Sequence, residues 1–152
     1  MSKLEGYSDF KHFLISSPSE YVAHVEINRP SKLNAFTPDM WIELGAIFAK
    51  LSHDPEVRAV ILSSAGERAF TAGLDVQAVE QGGVLGNKSE QEDASRIATK
   101  NRRQILEFQE CISQIEKCEK RGCIITSEIG TYRLIYTSRD LCDARHIHRP
   151  SY

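Results

Sequence analysis

An α/β fold is predicted by three observations in the first 80 residues. Residues 21–28 alternate apolar and polar side chains, Thr37-Pro38-Asp39 opens a stretch of helical spacing, and residues 57–63 form a short β-branched apolar run. A strand, an amphipathic helix and a buried strand in that order make a βαβ unit, whose strands lie parallel with the helix packed on the sheet. The chain has 152 residues, 41 % hydrophobic and 26 % charged, enough to bury a core. No apolar run approaches the roughly 20 residues that a bilayer span needs. The opening MSKLEGYSDF lacks the apolar centre of a secretory signal, so an intracellular chain without a membrane span is expected. Cys111, Cys118, Cys123 and Cys142 form no C-x-x-C pair and are too unevenly placed for a disulfide framework.

Tyr21, Ala23, Val25 and Ile27 share one face of the first strand, and residues 11–16 pair with it across Ser17-Pro18-Ser19. Beyond the turn at Arg29-Pro30, Thr37 is the N-cap of a helix with Pro38 at its first position and Asp39 near the positive end of its dipole. Met40, Trp41, Leu44, Ile47, Phe48 and Leu51 form its apolar face, and it ends near Ser52. The run at 57–63 is continuous enough for a strand covered on both faces. A loop holding Gly66 and Gly73 follows, then one helical turn at 76–80 and a surface loop at Gly82-Gly83. Ser89-Glu90-Gln91-Glu92 has the form of a capping box, opening a long helix to about residues 117–120 with Ile97, Ile105, Phe108, Ile112 and Ile115 on one face.

Charge divides the chain at this point. Residues 1–119 carry a balance of −5 and residues 120–152 a balance of +3, within a net charge of −2. Cys123-Ile124-Ile125 and residues 132–136 form a hairpin around Gly130, while residues 140–152 show no usable period. A solvated or disordered tail is the expectation for residues 121–152 as a whole. Its basic residues lack the aromatic or recognition-helix pattern of a nucleic-acid interface. Cys142, His146 and His148 lack the fourth ligand and tight pairing of a zinc site, so no metal is expected.

Two motifs at this separation carry a family resemblance. Asn28-Arg29-Pro30-Ser31-Lys32-Leu33-Asn34-Ala35-Phe36 follows a strand, and Arg68-Ala69-Phe70-Thr71-Ala72-Gly73-Leu74-Asp75-Val76 follows the next one. Together they resemble the crotonase superfamily of enoyl-CoA hydratases and isomerases. The stretch from Arg102-Arg103-Gln104-Ile105 to Glu119-Lys120 looks most like its Δ3,5-Δ2,4-dienoyl-CoA isomerase branch. The resemblance covers residues 10–120 and stops where Arg121-Gly122-Cys123 stands in place of the family's proline, buried strand and glycine-rich segment. It therefore implies the N-terminal half of a crotonase (ββα spiral) fold, an incomplete acyl-CoA domain at 10–120 joined to an unrelated tail at 121–152. A splice, frame or gene-model change at Lys120 would produce such a junction.

The resemblance also implies the chemistry. The family polarises an acyl-CoA thioester and holds the charge that develops on its oxygen with two backbone N–H groups already aimed at it. Carried over, the first donor is the N–H of Leu74, and Ala72, Gly73, Leu74, Asp75 and Val76 form the acyl-CoA contact strip, with Lys32 and Leu33 on the coenzyme A side. Gly73 permits close backbone approach and Asp75 caps the turn after it. Coenzyme A is part of the substrate, so no resident cofactor is implied. The second donor and the proton-transferring carboxylates come from sequence that the resemblance does not reach, and neither Asp75 nor Glu80 takes those roles. Losing one oxyanion donor costs on the order of 10²- to 10³-fold, and losing acid–base groups roughly 10²- to 10⁴-fold more. An inactive participant in fatty-acid β-oxidation is the expectation, the alternative being a non-catalytic subunit that binds full-length crotonase protomers. The family is mitochondrial or peroxisomal, but the chain shows neither an Arg-rich transit segment nor an S-K-L type end.

Without that family context each feature has a plainer reading. A lone G-x-D is an ordinary turn, Arg29 a solvated strand end, Arg102-Arg103 the polar face of a helix, and Cys111 and Cys118 small core residues. Gly82-Gly83 is not followed by the Lys-Ser or Lys-Thr helix start of a phosphate loop.

Overall fold

A computed structural model describes the backbone of residues 2–81, 93–128 and 131–137, and the side chains of residues 4–79 and 93–121. Its core is the βαβ unit. Strand β2 (Phe13–Ser19) pairs antiparallel with β3 (Val22–Ile27), helix α1 (Pro38–His53) crosses over, and β4 (Ala59–Ser64) returns parallel to β3. The two-residue β1 (Ser2–Lys3) lies outside β2. Beyond β4, the short α2 (Val76–Gln81) and the long α3 (Ala94–Lys117) lead to β5 (Arg121–Glu128), parallel to β4, and β6 (Thr131–Thr137), antiparallel to β5. The six strands lie side by side in chain order.

Period-two burial locates the helix-facing side of the sheet. Phe13, Ile15, Ala23, Val25, Ile27, Val60 and Leu62 are buried on one face. Met40, Leu44, Ile47, Phe48 and Leu51 of α1 meet them there, in one cluster. The α1 N-terminus forms as its sequence predicts, with the Met40 N–H donating to Thr37 Oγ1 at 3.4 Å. The hairpin turn falls later than expected. Ser17-Pro18-Ser19 belongs to β2, where the register shifts between Ser16 and Ser19, and a bulge is a place where a strand tolerates proline. The turn is instead at Glu20-Tyr21, Tyr21 having a φ of 62° and the Arg58 guanidinium over its ring.

Three other expectations are corrected. β4 is not covered on both faces: Val60 and Leu62 are buried, but Ala59 and Ile61 are only half-buried, because the α layer lies on one side. On the other side His24 Nε2 meets Ser63 Oγ at 2.7 Å. The packed face of α3 is also rotated from the expected one. Ile97, Gln104, Phe108, Cys111, Ile115 and Cys118 turn toward the body, whereas Ile105 and Ile112 are about half exposed with Leu106 beside them. Finally, the backbone of residues 121–128 and 131–137 is ordered as two strands rather than a disordered tail. They form the expected hairpin, and the backbone of β5 is paired along β4 from Ala59↔Arg121 to Leu62↔Ile124. The capping box at 89–92, the loop at Gly82-Gly83 and the Cys142, His146 and His148 group lie outside the described residues.

Helix α3 sits on α1 at a close crossing. A Cβ on Gly45 would stand 3.1 Å from Cys111 Cα and 3.3 Å from its Cβ, so the absent side chain sets the approach. Below the crossing the Glu119 N–H donates to Ser52 Oγ at 3.0 Å, and Lys120 Nζ to the Asp54 carbonyl at 2.9 Å. Burial, aided by Glu107 and Glu110, raises the Cys111 thiol pKa and makes it a slow nucleophile in place. A Gly45→Leu substitution forces the helices apart at an overpacking cost of roughly 1–3 kcal/mol. Labelling of Cys111 by a thiol reagent should accelerate about tenfold as α3 opens from α1; an unchanged labelling rate would show that the crossing does not hold α3.

Candidate functional site

Parallel pairing brings the chain out of β3 and β4 at the same end of the sheet, beyond the carboxyl ends of the strands, where α/β proteins place ligand sites. Two loops meet there, residues 28–37 after β3 and 65–75 after β4. The first makes a 3₁₀ turn over Pro30–Lys32, and then Leu33 and Asn34 adopt left-handed backbone at φ 50° and 55°. Asparagine tolerates that conformation better than most residues.

Asn34 holds the two loops together although it is only 1 % exposed. Its Oδ1 accepts from the Arg29 N–H at 3.0 Å, and its Nδ2 donates to the Ala65 carbonyl at 2.7 Å. Its carbonyl accepts from Thr71 Oγ1 at 2.7 Å, and that hydroxyl oxygen in turn receives the Gly73 N–H at 3.1 Å. A buried amide with each end satisfied favours one loop arrangement, since any other leaves polar groups unpaired.

The strip at 72–76 is then laid along the first loop. The Ala72 N–H donates to the Leu33 carbonyl at 2.9 Å, the Phe36 N–H to the Gly73 carbonyl at 2.7 Å, and the Asp75 N–H to the Phe36 carbonyl at 2.9 Å. This makes a parallel bridge between Phe36 and Leu74. In such a bridge the partner residue's own N–H points away. The Leu74 N–H accordingly has no hydrogen-bond acceptor among the described residues, and Leu74 is 36 % exposed. Gly73 has a φ of +86° with nothing within 4 Å of where a Cβ would stand, so its backbone conformation, rather than crowding, is what favours glycine here.

One ion pair secures the end of the strip. Arg29 NH2 lies 2.8 Å from Asp75 Oδ2, while NH1 donates to the Ala35 carbonyl at 2.7 Å. The other oxygen of Asp75 accepts from the Ala78 N–H at 3.2 Å and so caps α2. The Arg29 hydrogen bond, followed by the Ala78 N–H, holds the Asp75 carboxyl below the usual carboxylate range, with Lys32 adding a weaker pull. Phe36 continues the site into the core, its ring 4.4 Å from Trp41, which lies 6.4 Å from Phe108 on α3.

All seven residues singled out from the sequence, Lys32, Leu33, Ala72, Gly73, Leu74, Asp75 and Val76, are therefore on two adjoining segments. Asp75 caps the following turn as expected, whereas Arg29 is an anchor of the strip rather than a solvated strand end. In the sequence Asn34 and Thr71 stand out only as members of the two motifs; no period marks a buried loop amide, and their role becomes visible only when the loops are paired. Among the described residues no group of three His, Cys, Asp or Glu side chains could hold a metal ion, and no helix is long and apolar enough to cross a membrane.

The sequence model of the enoyl-CoA hydratase/isomerase family matches residues 18–120, and the chain belongs to that family. Mouse mitochondrial Δ(3,5)-Δ(2,4)-dienoyl-CoA isomerase is 38 % identical over 112 residues, 74 % of this chain and 33 % of the mouse protein. The peroxisomal enzyme of that name from Arabidopsis thaliana is 36 % identical over 99 residues, 65 % of this chain and 34 % of the relative. The chain thus spans about a third of the length of these relatives. A crystal structure of an enoyl-CoA hydratase/isomerase from Marinobacter aquaeolei superposes with a TM-score of 0.62 at 26 % identity, covering 76 % of this chain and 41 % of that one. The enoyl-CoA hydratase of Bacillus anthracis shares the fold at a TM-score of 0.59 and 18 % identity, over 77 % and 40 % of the two chains.

Two measurements test the loop geometry. Asn34→Ala leaves the Arg29 N–H and Ala65 carbonyl unpaired and should destabilise the fold by roughly 2–4 kcal/mol in urea unfolding; a change within error would remove the amide from its central place. Asp75 contributes stability that is complete above the unfolded carboxylate pKa of about 3.9, because its folded pKa is lower. That contribution is lost as pH falls through the folded value. The stability difference between the native chain and Asp75→Asn should thus be constant above about pH 5 and shrink below pH ~4. A difference that grows on acidification contradicts the Arg29 pairing.

Proposed function

We propose that this chain is an acyl-CoA-binding half of a hydratase/isomerase domain, related to dienoyl-CoA isomerase of fatty-acid β-oxidation and without turnover of its own. The observation that carries this reading is the Leu74 N–H, left without an acceptor on an exposed strip whose neighbouring N–H groups are engaged. An N–H held in that way can receive a thioester oxygen with little reorganisation. Ala72, Gly73, Asp75 and Val76 line the approach, and Lys32 and Leu33 flank it on the coenzyme A side. Coenzyme A enters as part of the substrate and not as a resident cofactor.

Turnover needs more than one donor. Residues 18–120 match the family, and the resemblance assigns the second oxyanion donor and the acid–base carboxylates to later sequence. We place the incomplete acyl-CoA domain at 10–120 and treat 121–152 as an unrelated tail. A polarised thioester with no group to move its proton remains bound and unreacted. The two dienoyl-CoA isomerases named above are mitochondrial and peroxisomal, and the acyl-CoA pools of those compartments are where a binding half of this kind would meet its ligand.

A second reading, that the chain docks on full-length protomers as a non-catalytic subunit, draws on α3, which buries no residue fully and leaves Ile105, Leu106 and Ile112 about half exposed. Co-purification with a full-length homologue, abolished by Ile105→Glu and Ile112→Glu together, would favour it over a free acyl-CoA-binding chain.

Binding is measured by titrating a 3,5-dienoyl-CoA into the chain in a calorimeter. Leu74→Pro removes the N–H and should weaken binding about tenfold, the worth of one hydrogen bond, whereas Leu74→Ala keeps the N–H and should stay close to native affinity. Equal losses in both variants would assign binding to the leucine side chain. The ultraviolet spectrum of the dienoyl-CoA should remain unchanged over hours, and enzyme-level turnover would overturn the inactivity.

A further inference from the structure

The sheet ends on β6. One edge of that strand is paired with β5 in unbroken register from Gly122↔Thr137 to Glu128↔Thr131. The other edge has no neighbouring strand among the described residues. An open edge presents a row of backbone donors and acceptors, which natural sheets blunt with proline, lysine, a bulge or brevity. β6 has one charge, Arg133, and none of these. It runs seven residues, Thr131-Tyr132-Arg133-Leu134-Ile135-Tyr136-Thr137, rich in the β-branched and aromatic types that favour strands. β1, at the opposite edge of the sheet, is only two residues long.

We propose that β6 pairs antiparallel with β6 of a second copy of this chain, about a two-fold axis at Leu134. The occupant is identified by the strand's own sequence, which reads nearly the same in both directions. Centred on Leu134, the register sets Thr131 opposite the partner's Thr137, Tyr132 opposite the partner's Tyr136, and Arg133 opposite the partner's Ile135. Leu134 meets the partner's Leu134. The strand's single charge therefore faces an apolar residue, and the two arginines fall on diagonal positions rather than opposite each other. A slip of one residue would lose this symmetry and turn one copy over, moving its helices to the other side of the joined sheet. In the symmetric register the helix layers of both copies remain on one side. Such an interface is the same patch on both subunits and closes as a dimer, because each copy's long edge is consumed.

The test is sedimentation equilibrium of the full chain, with far-UV circular dichroism to follow folding. The native chain is expected to be a dimer. Leu134→Lys and Leu134→Glu each set like charges opposite one another at the axis, and each alone should dissociate roughly tenfold more readily. An equimolar mixture of L134K and L134E sets opposite charges there and should recover the dimer as a heterodimer. Should either variant be unfolded alone, the mixture must restore a folded heterodimer. A monomeric native chain, a dimer indifferent to both single substitutions, or a mixture that stays dissociated or unfolded would each overturn the pairing.

Discussion

Because β3 and β4 run parallel, the chain leaves both strands at the same end of the sheet, and two irregular loops must satisfy each other's polar groups there. Asn34 is the residue through which they do so. Its side chain bonds the start of its own loop through the Arg29 N–H and the facing loop through the Ala65 carbonyl. Its carbonyl fixes Thr71. From this clamp the strip at 72–75 inherits its line along Phe36, and the Leu74 N–H inherits its outward aim. The Arg29–Asp75 pair secures the far end of the strip by charge, and α2 begins on the same carboxylate. A buried amide, rather than the residues that face solvent, thus determines the geometry of the exposed strip.

Packing is distributed unevenly over the molecule. The buried cluster is drawn from β2, β3, β4 and α1 with residues of the adjoining loops, whereas α3 touches it through partly buried side chains. Its position rests on the Gly45–Cys111 approach, the Trp41–Phe108 ring contact and the bonds that Glu119 and Lys120 make to the end of α1. Apolar surface at Ile105 and Ile112 lies just outside the contact with α1, so the apolar face of α3 is wider than the one helix it packs on. The solvent side of the sheet is similarly mixed, with Leu14 exposed and His24 bonded to Ser63.

Much of this was legible residue by residue. The period-two run to Ile27, the Thr37-Pro38-Asp39 start and the β-branched run into β4 are local signals, and the elements formed where those signals stood. Two of the differences share a cause, which is that a period identifies an apolar face but not what covers it. β4 looked suited to burial on both sides, yet only one side has a helix layer. Ile105 and Ile112 belong to the periodic face of α3, yet the contact with α1 is centred nearer Cys111, where Gly45 admits the helix backbone. Pro18 marked a turn by composition, whereas a bulge absorbed it within β2.

The sequence by itself determined the βαβ unit, the cap and apolar face of α1, and, through two motifs at a particular separation, the family to which residues 18–120 belong. These follow from neighbours in the chain or from spacing along it. Tertiary structure decided which groups at the sheet edge meet: Asn34 with Ala65, Arg29 with Asp75, and Phe36 with Leu74. It also decided that residues 121–128 extend the sheet, since β4 offered a free parallel edge. Such pairings join residues 31 to 62 positions apart, and hydrogen-bond satisfaction across that distance leaves no period in the sequence to read.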